Sequence, residues 1–376
     1  MPIALSYRTV VAVAVAAIAV GLQALAPPAG AARTASQPTA VPIRQDAAST
    51  AAQAAAVRYW TQGRMSAALR AAAGRQAAAA KKPASRLRRL VRKAPPKPAP
   101  WLAGDTAGSG LRWTHGGAVA DAAGKIFFTL DAEDYVCSGT LVGGQRTDVV
   151  LTAAHCVTSG PGRVRAARSS TGPANTGQWA TNWMFVPGFR DGLEPYGEYT
   201  ARRFFVIPDW TGPEGGREQY DVAFVQVTTA TLDQAAGAAQ PPTGLPVEFA
   251  ASRSSAPLGR AFVFGYPAEP PYSGFSLSYC AGPAVASAGR VRTPCGMTAG
   301  DSGGPWLAGF GPHSSSGTVV AVSTYKISSN LKVLYGAALG PQARALYERA
   351  VRSARLSAGP ARSPSRSVRP PNARSG

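Results

Sequence analysis

The stretch Cys295-Gly296-Met297-Thr298-Ala299-Gly300-Asp301-Ser302-Gly303-Gly304-Pro305 is the most informative part of the chain. It places Ser302 between an aspartate and two glycines, and glycines allow the backbone a tight turn. Acyl transfer requires an exposed hydroxyl with nearby N–H groups that can bind a developing oxyanion. The sequence therefore predicts Ser302 as a nucleophile, with the backbone N–H groups of Gly300 and Ser302 as oxyanion donors.

A histidine and an aspartate precede this loop, each at the end of an apolar run. His155 follows residues 149–151 through three small residues, and we expect it to act as general base and then general acid. Asp221 opens the run 222–227, where a buried carboxylate is costly unless it is paired. We expect it to pair with the His155 imidazole; Asp209 is an alternative, but no apolar run follows it directly. The order His, Asp, Ser is one of three known for such triads.

The positive charge of the chain lies at its two ends. The 376 residues carry a net charge of +20, with 15 basic and 2 acidic residues in 1–107 and 6 basic and no acidic residues in 352–376. The central block is therefore nearly neutral. Specific nucleic-acid binding is not predicted, because no aromatic residues are interleaved with the basic ones. The basic arms are suited to contact with an anionic cell envelope.

All four cysteines lie in the central block, at positions 137, 156, 280 and 295. An even number of cysteines in an exported protein indicates two disulfides, and four cysteines allow three connectivities. We favour the two local pairs, Cys137–Cys156 and Cys280–Cys295. A zinc site is the alternative, but CxxC spacing is absent. We predict neither a metal nor a cofactor.

The N-terminal third contains two segments of distinct composition. Residues 9–26 are apolar and uncharged, and small residues follow at 28–32. This pattern predicts a signal peptide over 1–32 and a secreted protein; an uncleaved membrane anchor is the alternative. Residues 33–107 form a basic Ala/Pro-rich pro-segment or linker, in which 81–97 are open to proteolysis. A wall-contacting or merely flexible spacer is the other interpretation of this segment.

The sequence pattern of residues 108–351 is typical of an all-β domain. Short β-prone runs alternate with glycine-containing turns, which predicts a barrel or sandwich. Pro341 opens the clearest helix, in which apolar residues repeat at helical spacing. The Ser/Pro/Arg-rich residues 352–376 are predicted to be a disordered tail.

Taken together, these motifs resemble the trypsin/chymotrypsin-like serine peptidases. The bacterial V8-like, glutamyl-endopeptidase-type branch is the most similar, on the strength of residues 124–129, 137–142 and 151–156. The resemblance implies two perpendicular six-stranded β-barrels with the site between them. The first barrel (about 108–235) would supply His155 and Asp221, and the second (about 254–340) Ser302.

The same resemblance implies a function. It predicts a secreted, monomeric serine endopeptidase that hydrolyses proteins or peptides through an acyl-enzyme and is made with its own pro-segment. The alternative is a catalytically silent binding or envelope protein on the same fold.

Substrate preference follows from departures from the family pattern. Gly296 stands six residues before Ser302, where trypsin-like members carry an acid that binds Arg or Lys. Val322 stands where glutamate-selective members carry a histidine. We therefore expect a pocket for an uncharged side chain, with Gly296 as its floor and walls formed by Ser323, Thr324 and Tyr325.

Two further expectations concern the partner of Asp301 and the route of activation. Asp301 is expected to turn inward and to need a cation, either a new N-terminal amine or an arginine. Leu111-Arg112-Trp113 differs from the Ile-Val-Gly-Gly start of the animal zymogens, so the resemblance does not predict activation by that route.

Overall fold

The computed structural model describes residues 43–46, 49–80, 106, 108–144, 148–160, 178–213, 215–229, 241–250, 256–311, 313–327 and 330–357. The predicted signal peptide and the basic stretch 81–97 lie outside these residues, as does the chain after 357. Within the described part, no helix combines the length and the apolar character needed to cross a membrane.

The chain before the barrels contains regular structure. Its elements are β1 (Ile43–Asp46), α1 (Thr50–Tyr59), α2 (Gln62–Ala80), β2 (Leu111–Arg112) and α3 (Gly117–Ala122). Alanine, the residue with the highest helix propensity, dominates α1 and α2. Ser49 caps α1, because its hydroxyl accepts a hydrogen bond from the Ala52 N–H at 3.3 Å. Much of the predicted pro-segment is therefore helical.

The first barrel is a closed ring of six antiparallel strands. They are β3 (Ala123–Leu130), β4 (Glu133–Leu141), β5 (Val149–Thr152), β6 (Thr181–Pro187), β7 (Tyr199–Val206) and β8 (Ala223–Thr229). The order around the ring is β3-β4-β5-β8-β7-β6, and β6 pairs with β3 to close it. Strand β1 extends the sheet along β7. Phe127, Phe185, Phe205 and Phe224 are fully buried in this part of the core.

The second barrel is built in the same way. Its strands are β9 (Ala256–Gly265), β10 (Ser278–Ser287), β11 (Arg290–Pro294), β12 (Pro305–Gly311), β13 (Ser316–Ile327) and β14 (Asn330–Ala338). The ring runs β9-β10-β11-β14-β13-β12, and β2 adds to β10. The prediction of two six-stranded barrels is confirmed.

The C-terminal helix α4 (Pro341–Ser357) follows the second barrel but packs on the first. Ala343, Leu346, Ala350 and Ala354 form its buried face. The Tyr347 ring lies 5.3 Å from that of Phe224 in β8. The helix continues past the predicted domain boundary at 351 because Ser353 is also buried there, accepting a hydrogen bond from Arg203 at 2.6 Å. The predicted tail from 352 therefore begins as helix.

Both disulfides join the local pairs that the sequence favoured. Cys137–Cys156 links β4 to the turn after β5, and Cys280–Cys295 links β10 to the segment after β11. One bridge therefore anchors the residue directly after His155, and the other anchors Cys295 at the start of the segment that carries Ser302.

Candidate active site

His155 and Asp221 meet at one end of the first barrel. His155 lies in a 3₁₀ turn, Ala154–Cys156, directly after β5, and Asp221 lies directly before β8. Strands β5 and β8 pair with each other, so the two residues are brought side by side. The distance from His155 Nδ1 to Asp221 Oδ2 is 2.7 Å, and the His155 backbone N–H donates to Asp221 Oδ1 at 2.9 Å. Asp221, only 5% exposed, is paired through both oxygens.

This pairing changes the acid–base properties of the imidazole. Burial by itself lowers the pKa of His155, but the charge of Asp221 and the hydrogen bond to it outweigh that effect. The pKa of His155 is therefore raised above its usual value. A stronger base near neutral pH is suited to accepting a proton from a hydroxyl. The bond at Nδ1 also leaves Nε2 as the nitrogen that faces outward.

Ser302 lies in the turn between β11 and β12 of the second barrel. Gly300 and Gly303 have φ angles of +96° and +84° there, in the region that favours glycine. A Cβ at Gly300 would lie 2.7 Å from the Tyr266 carbonyl oxygen, and one at Gly303 would meet the Ser138 carbonyl oxygen. These glycines are therefore required by close backbone approaches as well as by their φ angles.

Ser138 in β4 holds this turn from the opposite barrel. Its backbone N–H donates to the Ser302 carbonyl at 2.7 Å, and its hydroxyl donates to the Gly300 carbonyl at 2.7 Å. The hydroxyl also accepts from the Tyr266 N–H at 2.8 Å. Because the carbonyls on both sides of Asp301 are fixed, the peptide planes of the turn have one orientation. Ser138 was not among the predicted site residues, and a small polar residue directly after Cys137 is its only local signal.

Asp301 turns inward, as expected, and is 1% exposed. Among the described residues, no donor makes a well-formed hydrogen bond to either carboxylate oxygen, although the Ser323 hydroxyl is close by. Burial raises the pKa of Asp301 to about 7, although the Ser323 hydroxyl and the charges of Lys326 and Lys125 oppose this effect. The cations near it are thus lysines, rather than the terminal amine or arginine expected from the sequence.

Lys125 is fully buried in β3. Its ammonium donates to the Tyr266 carbonyl at 2.7 Å. Burial lowers its pKa to about 7, and the Asp301 charge opposes this change. The Tyr266 carbonyl that it binds is the group against which Gly300 packs. Lys125 therefore holds the carbonyl against which the turn that carries Ser302 packs. A single lysine within the otherwise apolar run 124–130 was the signal that could have revealed it.

His155, Gly300 and Ser302 line one cleft of about 290 Å³ between the barrels. Tyr135, Cys137, Thr158 and Ala299 also line it, together with Ala72 from α2. The predicted general base, the predicted nucleophile and one predicted oxyanion donor thus face a shared space. A helix from the N-terminal segment borders that space.

The four predicted pocket residues lie elsewhere, since none of them lines this cleft. Ser323 is tied to the serine turn, because its N–H donates to the Gly304 carbonyl and its carbonyl accepts from the Gly303 N–H. The Tyr325 ring stacks on Tyr335 at 4.9 Å, and the Thr324 hydroxyl donates to the Tyr335 carbonyl at 3.3 Å. Gly296 packs against the Gly108 carbonyl.

One cluster of possible metal ligands exists among the described residues: Cys137, His155 and Cys156, whose ligand atoms lie within 4.8 Å of one another. Both sulfurs are joined in a disulfide. A disulfide offers no thiolate, so this cluster does not fit the ligand set of a zinc site.

Two closed antiparallel barrels, with a His–Asp pair and a glycine-rich serine turn facing one cleft, define the chymotrypsin-fold serine proteases as a class. A family model described as a trypsin-like peptidase domain matches residues 137–311. The protease Anisep from Arthrobacter nicotinovorans is 33% identical, over 65% of this chain and 99% of that one, with a TM-score of 0.52. The chain therefore belongs to the trypsin-like serine peptidase family.

Other relatives are more distant. A thermostable serine protease from an extremophilic microorganism is 28% identical, over 63% of this chain and 99% of that one, with a TM-score of 0.50. A Glu endopeptidase is 16% identical, over 65% of this chain and 96% of that one, with a TM-score of 0.44. The particular resemblance to the V8-like branch stays a prediction. No curated protein matches the chain.

Proposed function

We propose that the protein is a secreted serine endopeptidase that hydrolyses peptide bonds through an acyl-enzyme, with Ser302 as nucleophile, His155 as general base and Asp221 as its orienting partner. One observation carries the proposal: His155, bonded to the buried Asp221 carboxylate through its ring Nδ1 and its backbone N–H, lines the same cleft as Ser302. A catalytically silent relative has no need to retain this arrangement.

The first half of the reaction acylates the enzyme. Ser302 Oγ attacks the scissile carbonyl carbon while His155 Nε2 accepts the hydroxyl proton. The new oxyanion receives hydrogen bonds from the N–H groups of Gly300 and Ser302. When the tetrahedral intermediate collapses, the carbon–nitrogen bond breaks and His155 gives its proton to the departing amine.

The second half repeats these steps with water. His155 accepts a proton from a water molecule, whose oxygen attacks the ester carbonyl of the acyl-enzyme. Collapse of the second intermediate releases the carboxylic acid product and returns the proton to Ser302. Asp221 stays ionised throughout and stabilises the imidazolium.

Secretion and substrate preference belong to the same proposal. Two disulfides and the absence of free cysteines suit an oxidising compartment. We further propose that residues 33–107 act as a pro-segment, and that the basic arms contact the cell envelope. The side chain preceding the scissile bond is uncharged, bound at Gly296 and residues 323–325. Cleavage of a peptide library tests that preference.

A fluorophosphonate probe tests the catalytic assignment, because it labels only an activated serine. The full chain should be labelled, and mass mapping should place the label on Ser302. Ser302→Ala should abolish labelling, while His155→Ala should slow it by about 10³-fold or more. A folded, disulfide-bonded chain that takes no label would favour the silent binding protein. Labelling of another serine would refute the assignment.

A further inference from the structure

Helix α2 presents an apolar stripe to the catalytic cleft. Met65, Ala68, Leu69 and Ala72 recur at helical spacing and are at most 4% exposed. Ala71, on the other side of the same turn, is exposed. A stripe of this width is what a helix uses to dock on a protein surface. The surface here is the rim of the cleft that holds His155 and Ser302.

The stripe packs directly on the 266–275 loop, which supports the turn that carries Ser302. A Cβ at Gly274 would contact Leu69 Cδ2, so the leucine lies against the backbone of the 266–275 loop. Ala268 in that loop donates its N–H to the Ala299 carbonyl at 2.7 Å, one residue before Gly300. Ala72, one turn further along α2, lines the cleft itself.

Contacts at the start of α2 fix its position on the first barrel. Trp60, between α1 and α2, is 2% exposed, and its indole N–H donates to the Asn182 carbonyl. The Arg64 guanidinium forms an ion pair of 3.0 Å with Asp134, which also accepts a hydrogen bond from the Tyr59 hydroxyl at 2.8 Å. A cut in the basic stretch 81–97 would break none of these contacts.

The position of the cavity indicates which side of the substrate α2 excludes. Its walls include Tyr135, Cys137 and Thr158 of the first barrel. They do not include Gly296 or residues 323–325, which we assign to the acyl side, that is, to the side chain before the scissile bond. The remaining path from Ser302 is that of the leaving group. At about 290 Å³ the cavity is at the lower end of the range for ligand pockets, roughly 300–1,000 Å³. An extended peptide has to pass Ala72 to leave it.

We propose that helix α2 binds the leaving-group side of the cleft, so that the full chain is acylated by esters with small leaving groups but cleaves peptides poorly. The proposal rests on the proposed function above. It identifies the leaving-group surface as a docking site for an amphipathic helix of this same chain. Removing the linker alone does not activate the enzyme, because the docked helices retain their contacts.

The test compares two substrates that share one acyl part. One is an aryl ester, and the other is a quenched peptide with several residues after the scissile bond. Both are assayed with the full chain and with Leu69→Lys, Leu69→Ala and Ala71→Lys. Ala71→Lys is the matched control, because it introduces the same charge on the exposed side of the same helix. Rates are divided by the concentration of active sites, titrated with a fluorophosphonate, so that misfolded protein does not count.

We expect Leu69→Lys to raise peptide turnover by about tenfold or more and to change ester turnover by less than about twofold. The peptide turnover of Leu69→Ala should fall between that of Leu69→Lys and that of the unmodified chain. Ala71→Lys should match the unmodified chain in both rates. Equal ratios of peptide to ester turnover in all four proteins would overturn the proposal. A parallel rise of both rates would overturn the assignment to the leaving-group side. Absence of fluorophosphonate labelling in every variant would instead refute the proposed function.

Discussion

Replacing Ser138 with alanine should slow acylation although Ser138 touches no substrate. The side chain is completely buried in β4 and reaches across to the second barrel. Its hydroxyl donates to the Gly300 carbonyl at 2.7 Å and accepts from the Tyr266 N–H at 2.8 Å. Alanine removes both bonds. The Gly300–Asp301 peptide, which joins the two peptides that carry the Gly300 and Ser302 N–H groups, then loses its anchor, and both oxyanion donors are displaced.

The size of the effect follows from the two bonds. Each buried backbone group left without a partner costs about 1–3 kcal/mol. The fold should therefore lose roughly 2–5 kcal/mol of unfolding free energy. Loss of one oxyanion donor lowers kcat by about 10²–10³-fold. Because the Ser302 carbonyl keeps its bond from the Ser138 backbone N–H, the turn is only partly released. We expect a fall in kcat of about 10–10²-fold with little change in KM.

Steady-state hydrolysis of an aryl ester and urea unfolding measure the two effects. A peptide boronate, which forms a tetrahedral adduct with the serine, should bind Ser138→Ala more weakly in proportion to the loss of kcat. Thr140→Val is the matched control, since it removes a buried hydroxyl two residues along the same strand. That hydroxyl lies 3.4 Å from its acceptor, the Leu141 carbonyl. Ser138→Thr restores a hydroxyl and should recover part of the activity.

A folded Ser138→Ala protein that keeps kcat within about twofold of the unmodified chain would refute the role assigned to the Ser138 hydroxyl, and that role then fails. It also fails if Thr140→Val loses as much activity, because the effect would then be one of general packing in β4.

Three further predictions concern the pair of catalytic side chains, the buried lysine and the C-terminal helix. Asp221→Asn should lower kcat by about 10⁴-fold and shift the rise of kcat/KM with pH to lower pH, because the charge that raises the pKa of His155 is lost; an unchanged pH profile would contradict the pairing. Lys125→Met should reduce the urea-unfolding free energy by about 1–3 kcal/mol at about pH 10, where the burial of a charged lysine no longer costs stability, since a buried carbonyl loses its donor; equal stability at that pH would argue against this role. Tyr347→Ala should cost about 1–3 kcal/mol by the same measurement, whereas the exposed Glu348→Ala should change little.

The pH dependence of stability also carries the signature of the buried lysine. Burial lowers the pKa of Lys125 to about 7 in the folded chain, whereas a lysine in an unfolded chain has a pKa of about 10.4. Between these values the unfolded chain binds more protons, so the contribution of Lys125 to stability rises with pH across that window. Lys125→Met should flatten this part of the stability profile, measured by urea unfolding at a series of pH values. An unaltered slope would contradict the lowered pKa.

Local patterns in the sequence predicted an all-β domain and the C-terminal helix and favoured the two disulfide pairs, whereas the two-barrel architecture followed from the family resemblance. Short β-prone runs that are separated by glycine-containing turns predict strands. The spacing of apolar residues in α4 predicts a helix with one buried face. The serine turn is equally local, because glycines that allow positive φ angles must stand beside Ser302 itself. The end of α4 was misplaced, since Ser353 is held by Arg203, a residue distant in the chain.

The supports of the site required the tertiary structure. Ser138 and Gly300 are 162 positions apart, and Lys125 and Tyr266 are 141 apart. Such contacts depend on the register of two barrels and on how they pack, and no periodicity along the chain encodes either. The position of α2 has the same origin: its composition predicts a helix, but only the fold places Ala72 beside the nucleophile. The sequence by itself indicated the candidate reacting groups, because their motifs are local, while the packing of distant segments decided which residues hold and cover them.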